Sequence, residues 1–275
     1  MDYAVFHSYA ISISPLLPLD GCDGGLHLFG TGRSKMAKTV SICLAMYNGQ
    51  SFIYEQLSSI LPQLGDSDEI IICDDCSHDR SVKIVKEFND SRIRIFEADV
   101  NCGHVVTFER ALRQAKNDII LFSDQDDIWT EDHVAVLRDA LEEIDGPALV
   151  YGNFSEFGDF EWVQARTHKT AILPRLRGKY HFLLLLLKGQ TRMFGSAMAI
   201  NRQAVSLCVP IPSSVSSHDL WIAYLVCAGG VVSNINQVIT HRRLHAANVS
   251  DSRRGLATVV RDRLNYLFHA WKRIR

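Results

Sequence analysis

Read from Val40, apolar runs of strand length alternate with stretches whose apolar residues recur at helical spacing. Val40–Met46 (VSICLAM), Glu69–Cys73 (EIIIC), Ile93–Glu97, Asp118–Phe122 (DIILF) and Ala148–Tyr151 predict five strands. Between them, Ser51–Leu61, Ser81–Phe88, Val105–Ala115 and Glu131–Ile144 predict helices; Phe108, Ala111, Leu112 and Ala115 illustrate the spacing. Strands joined by helices of this length pair in parallel through right-handed crossovers. Their unbroken apolarity is what a sheet covered by helices on both faces requires.

Beyond residue 152 the rhythm loosens. Gly158–Lys179 reads as loop, Phe182–Lys188 as the opening of a helix and Met193–Ile200 as a further strand. Leu220–Ala228 reads as a helix stopped by Gly229 and Gly230, and Val231–Ile239 contains a short strand. Arg261–Arg275 predicts a basic amphipathic helix with Leu264, Leu267, Phe268 and Trp271 on one side. Residues 1–35 show no sustained period; they carry Pro15, Pro18 and a glycine-rich stretch, and the character changes at Met36. We therefore expect translation to begin at Met36, with residues 1–35 a disordered or non-native extension. No Lys or Arg precedes Arg33, against a secretory signal, and Gly32-Arg33-Ser34 lacks the lysine of a phosphate loop.

Composition excludes several classes. In 275 residues, 47% hydrophobic and 22% charged content is that of a globular chain, neither disordered nor built on disulfides. Lys+Arg 29 against Asp+Glu 31 leaves a net charge of −2, so no bulk charge draws the chain to nucleic acid. No apolar run approaches the roughly 20 residues of a membrane span. The seven cysteines are odd in number and scattered, and Cys73-x-x-Cys76 has no second pair to complete a zinc site. Free thiols and a reducing cytoplasm are expected.

Ligands of parallel α/β sheets bind at the carboxyl ends of the strands, and polar residues gather there. The first strand ends in Tyr47-Asn48-Gly49 and the second in Asp74-Asp75, followed by Ser77 and Asp79. Asn101-Cys102-Gly103 follows the third strand, and Ser123-Asp124-Gln125-Asp126-Asp127-Ile128-Trp129 the fourth. Parallel pairing brings these carboxylates to one edge, where like charges repel by several kcal/mol unless a cation or ligand offsets them. Mg2+ or Mn2+ suits an Asp-x-Asp, since it takes one or two carboxylates and fills its shell with phosphate oxygens. For Asp74, Asp79 and Asp127, capping of the following helices is the alternative.

These four motifs in order resemble the successive signatures of glycosyltransferase family 2, over about Val40 to Ser250. The Ser-Asp-Gln-Asp-Asp-Ile-Trp segment resembles rhamnosyltransferase-like members that build O-antigen and other bacterial cell-surface polysaccharides. The resemblance implies an α/β, GT-A fold: a Rossmann-like, mainly parallel sheet flanked by helices, with an acceptor-side C-terminal half. It implies a nucleotide-binding half over 36–152 and an acceptor and catalytic half over 153–250; the basic amphipathic C-terminal helix, over 251–275, is read from the residues themselves. Substrate-binding residues carried over are Tyr47, beside the base, Asn48, Asp75, at its imide edge, Asn101, Gly103 and Asp124, near ribose and sugar. Asp126 would hold a divalent cation, Mg2+ or Mn2+, on the donor diphosphate.

In the second half, Gly195-Ser196-Ala197-Met198 resembles the family's small-residue segment along the donor sugar. Asp219 of Ser217-His218-Asp219-Leu220-Trp221 matches the general base; N-capping is its bland alternative. His218 joins it as a substrate-side residue or a structural hydrogen-bonding one. Arg242-Arg243-Leu244-His245 resembles a Tyr-Arg-x-His stretch in which His245 would complete the metal shell and Arg243 meet phosphate. Arg242 replaces the tyrosine and Ala246 a frequent glycine.

The expected activity is inverting transfer from a nucleotide-diphosphate sugar, dTDP-rhamnose or a UDP-sugar, to a glycan or lipid-linked acceptor. An inactive nucleotide-sugar-binding protein of the same fold is the alternative. A metal-dependent phosphotransfer enzyme is weaker, because it needs an aspartate where Tyr47-Asn48-Gly49 stands. A cytoplasmic place is expected, peripheral at the inner face of the membrane, with homodimerisation among the expectations.

Overall fold

Side chains along β1 (Val40–Met46) alternate between two apolar clusters and set the architecture. Ile42 and Leu44 enter one apolar cluster while Cys43 enters another. The first cluster takes Ile53, Leu57 and Ile60 from α1 (Ile53–Ile60), Val85 from α2 (Ser81–Glu87) and Val134, Leu137 and Leu141 from α4 (His133–Glu142). The second takes Phe108, Ala111 and Leu112 from α3 (His104–Gln114). It also takes Ala204 and Val205 from α5 (Arg202–Cys208), Trp221 to Cys227 from α6 (His218–Gly229), and Tyr266 and Ala270 from α7 (Leu256–Ile274). A strand that buries both faces favours apolar side chains throughout; the buried exception in β1, Ser41, donates to Glu69 Oε1 at 2.7 Å.

The computed structural model describes residues 37–158, 167–168, 183–184, 186–187, 193–245 and 256–274. Expectations for residues 1–35, for most of Gly158–Lys179 and for Ala246 lie outside them. Among the described residues, nine strands form one sheet of order β3-β2-β1-β4-β8-β6-β9-β5, with β7 paired to β6. β2 (Glu69–Asp74), β3 (Ile93–Glu97) and β4 (Ile119–Asp124) join β1 in parallel, and β6 (Ala148–Phe157) and β9 (Val231–Arg243) are parallel to each other. β8 (Met198–Asn201) runs antiparallel between β4 and β6; β5 (Ile128–Trp129) and β7 (Thr167–His168) are short antiparallel additions.

The register places the chemistry. Met46 pairs with Asp74 and Ala45 with Asp124, so the ends of β1, β2 and β4 lie level at one edge. The second half departs from the periodicity reading. β6 is ten residues long and β9 thirteen. Consequently β9 runs past the expected Val231–Ile239 segment, and Arg242 and Arg243 end it. Gly195–Ala197 forms a 3-10 turn, which confines the expected Met193–Ile200 strand to Met198–Asn201. The six described cysteines are free thiols. Among the described residues, no helix is long and apolar enough to cross a membrane.

Candidate active site

The loops after β1, β2, β3 and β4 border a cavity of about 670 Å³. Tyr47, half-exposed at 44%, stands at its rim, and both backbone groups of Tyr47 are clamped by Gln125: N–H to Oε1 at 2.9 Å and Nε2 to the carbonyl at 3.0 Å. Gly49 leaves room for that clamp, because a Cβ there would lie 2.4 Å from Gln125 Oε1. Asn48 takes a left-handed backbone (φ 48°), tolerable for asparagine. Its Oδ1 accepts the His78 N–H at 2.9 Å, and its own N–H donates to Ser77 Oγ at 2.8 Å. Asn48 thus ties the first loop to the second.

Asp75 is buried, and each carboxylate oxygen accepts one backbone N–H at 2.8 Å, from Cys102 and from Gly103. The loop after β3 is therefore hung on the end of β2. Gly103 adopts φ 84° in presenting its amide, a conformation costly for other residues. Asp74 turns back to Ser77, 2.9 Å from N and 2.5 Å from Oγ, and Asp79 accepts from Ser81 N at the start of α2 at 2.9 Å. Asp74 braces the loop before α2, since Ser77 lies outside that helix; only for Asp79 does the capping alternative describe the contact. It does not describe Asp127, which accepts from Ser196 Oγ and from Arg243 N at 3.2 Å.

Asp124, Asp126 and Asp127 make an acidic centre on one cavity wall. Desolvation, then repulsion from Asp127, Asp126 and Asp219, drives the Asp124 carboxyl well above the ordinary range; the Arg242 cation opposes this. Burial and Asp126 push Asp127 up to about 7, against hydrogen bonds from Ser196 and Arg243. His245 Nε2 lies 2.8 Å from Asp126 Oδ2, with its ring stacked on Phe52 at 4.5 Å between centroids. Among the described residues, no group of three or more His, Cys, Asp or Glu converges as a closed metal site. Asp126 and His245 instead form a two-donor set of oxygen and nitrogen, which fits a cation that completes its shell from a diphosphate.

α6 begins with His218 and Asp219, which line the same cavity. Asp219 Oδ1 accepts from Ser217 Oγ and from the Leu220 N–H at 2.7 Å. His218 is buried with its ring stacked 3.8 Å from Phe108, and among the described residues neither ring nitrogen has a hydrogen-bond partner. Burial pulls this imidazole down to about 4, Asp219 opposing and His104 reinforcing the shift.

Ten of the eleven residues singled out in the sequence line this one cavity: Tyr47, Asn48, Asp75, Asn101, Gly103, Asp124, Asp126, His218, Asp219 and His245. Arg243 does not. Its guanidinium donates to the Asp126 carbonyl at 3.1 Å, pairs with Glu55 and lies 4.7 Å over Phe157. Arg242 lines the wall in its place, held by Glu156 at 3.0 Å and lying 4.8 Å over Phe194. Alternation along β9 sends the two neighbouring side chains to opposite faces. Gln125, Phe52 and Phe194 also line the cavity and were not singled out. Gln125 had a signal in its place within the acidic motif; the two phenylalanines had none.

An open α/β sheet with a cavity at its carboxyl edge and facing carboxylates defines a class of nucleotide-dependent proteins. The family model described as glycosyl transferase family 2 matches residues 41–208, and the chain belongs to that family. The Escherichia coli UDP-Glc:alpha-D-GlcNAc-diphosphoundecaprenol beta-1,3-glucosyltransferase WfaP is 38% identical over 212 residues, 77% of this chain and 79% of its own. A second E. coli enzyme of the same description, WfgD, is 32% identical over 115 residues, 42% of this chain and 45% of that one. This chain therefore spans less than half of WfgD. The mannosyltransferase PcManGT from Pyrobaculum calidifontis, solved with GDP-Man and Mn2+, shares the GT-A fold at a TM-score of 0.56 and 14% identity. That match covers 86% of this chain and 76% of PcManGT.

Proposed function

We propose that the chain is an inverting, metal-dependent glycosyltransferase that moves a sugar from a nucleotide diphosphate to an acceptor hydroxyl. The observation that carries the reading is that Asp219 and the hydrogen-bonded pair Asp126–His245 line the same cavity. The pair suits a diphosphate and its cation, and Asp219 suits a hydroxyl to be deprotonated. Tyr47 offers an aromatic face and a polar tip at the rim for the base. Asp75 keeps lone pairs beyond the two amides it accepts and takes an N–H from a pyrimidine.

In the reaction, Asp219 takes the proton of the acceptor hydroxyl as that oxygen attacks the anomeric carbon. The bond from that carbon to the diphosphate oxygen breaks on the opposite face, and the nucleotide diphosphate leaves. Asp126 and His245 would hold a divalent cation whose chemistry is to offset charge on the leaving diphosphate. The walls fix donor and acceptor in line.

The similarity to WfaP and WfgD, whose names specify UDP-Glc and a diphosphoundecaprenol-linked acceptor, supports a UDP-sugar donor and a lipid-linked acceptor. dTDP-rhamnose remains the second donor to test. Such an acceptor puts the work at the inner face of the membrane. Thermal shift against a panel of nucleotide sugars with and without Mn2+ tests the donor, followed by metal-dependent hydrolysis or transfer. Donor binding without any turnover would instead select the inactive binding protein.

A further inference from the structure

The face of α7 turned away from the protein carries a stripe of large apolar side chains. Val260 is 47% exposed, Leu264 62%, Phe268 50% and Trp271 53%. Their spacing of four, four and three keeps them on one side over about 17 Å of helix. The opposite side is docked: Tyr266 and Ala270 are buried, Leu267 packs on the core, and Arg273 donates to the Leu207 and Pro210 carbonyls at 3.2 and 2.9 Å. Leu267 thus leaves the side on which helical spacing alone had placed it.

Charge distinguishes the occupants of this stripe. Arg261, with its side chain 78% exposed, stands at one end, and Lys272 at the other with its ammonium 4.3 Å over the Phe268 ring. Asp262 is the single acidic residue of the helix. It accepts from Ser216 Oγ at 3.1 Å, is 15% exposed and lies 3.8 Å from Arg261 Nε. A second copy pairing antiparallel across this face would set Arg261 against Lys272, like charge on like. An anionic bilayer complements both ends and takes the apolar stripe between them.

The helix also holds the segment beside Asp219. Asn265 Nδ2 donates to the Ser214 carbonyl at 2.9 Å, His269 Nε2 lies 3.1 Å from Ser214 Oγ, and Tyr266 Oη lies 2.9 Å from Ser216 Oγ. Ser216 and Ser217 line the cavity. The exposed stripe therefore lies about one helix diameter, roughly 10 Å, from the segment bordering the Asp219 wall.

We propose that α7 docks on an anionic lipid bilayer through Val260, Leu264, Phe268 and Trp271, with Arg261 and Lys272 on the headgroups, setting the Asp219 side of the cavity beside the membrane. The inference rests on the lipid-linked acceptor reading above. Cosedimentation of the full chain with phosphatidylglycerol and phosphatidylcholine vesicles tests it. Binding to phosphatidylglycerol is expected to be about tenfold tighter or more, and to weaken as salt is raised. Leu264→Glu/Phe268→Glu loses that binding by about tenfold or more with unchanged circular dichroism and melting temperature. Arg261→Glu/Lys272→Glu keeps the fold and loses the preference for the anionic lipid.

Three results overturn the proposal: no preference for phosphatidylglycerol, unaltered binding by Leu264→Glu/Phe268→Glu, or a dimer by light scattering that this variant dissociates while vesicles go unbound. Vesicle binding needs no turnover and the donor assay no lipid, so each reading fails or stands separately.

Discussion

His245 Nε2 sits 2.8 Å from Asp126 Oδ2, joining a residue two positions past β9 to the acidic motif after β4 across 119 positions of sequence. Phe52, from the loop before α1, stacks on the imidazole and fixes its plane. If this pair holds the cation, Asp126→Ala and His245→Ala each weaken Mn2+-dependent donor binding by about 10- to 100-fold. Calorimetry with and without Mn2+ checks this; equal donor affinity in both conditions would remove Asp126 from the metal role.

Asp219 makes its contacts within its own helix start, to Ser217 and the Leu220 N–H. Its replacement therefore disturbs chemistry more than architecture. Asp219→Asn is expected to lower kcat by about 10²- to 10⁴-fold while donor affinity stays within a factor of about two. Single-turnover transfer and donor titration separate the two; near-normal turnover would assign the base elsewhere.

Gly49 and Gln125 are coupled through space. A methyl at Gly49 would collide with Gln125 Oε1 and break the clamp on Tyr47. Gly49→Ala is expected to cost about 1–3 kcal/mol of stability, as overpacking does. In Gln125→Ala the same change should cost about 1 kcal/mol less, because the colliding atom is gone. Urea unfolding of the four proteins gives the coupling; strict additivity would mean that Gln125 simply swings aside.

Asp75 hangs the loop after β3 on β2 through two amides. Asp75→Ala leaves both N–H groups without their charged acceptor and is expected to destabilise the chain by about 2–4 kcal/mol. It should also weaken nucleotide binding. Protection of the Cys102 and Gly103 amides in hydrogen exchange reports the first effect independently of any ligand.

Burial holds the His218 imidazole at about 4, below the usual 6.5 of the unfolded chain. Between those values the unfolded chain binds a proton that the folded chain refuses, so the His218 contribution falls as pH falls below about 6.5. His218→Leu removes that proton from the balance. Its stability relative to wild type should improve by about 2 kcal/mol between pH 6.5 and pH 5, measured by denaturant melts. A difference independent of pH would show that His218 titrates normally in the fold.

Local pattern made the first half of the chain readable. Runs such as VSICLAM and EIIIC bury both faces of a strand, and that requirement shows in sequence because each residue's neighbours along the chain share it. Polar residues following those runs marked the cavity rim, since parallel pairing sends every strand end to one edge. The second half obeys contacts that periodicity does not encode. β9 runs on to Arg243 because β6 pairs with it as far as Phe157.

Sequence alone thus determined the α/β alternation and the acidic strand ends, because apolar periodicity and residue chemistry are local; Asp219 and His245 were expected beside Asp126 through the family resemblance, and all three line one cavity. Tertiary structure alone decided that Arg242 rather than Arg243 faces the cavity, that Gln125 clamps Tyr47, and that Leu267 packs inward while Leu264 faces out. Each of these depends on which distant side chain fills the adjoining space, and no spacing along a single chain specifies that.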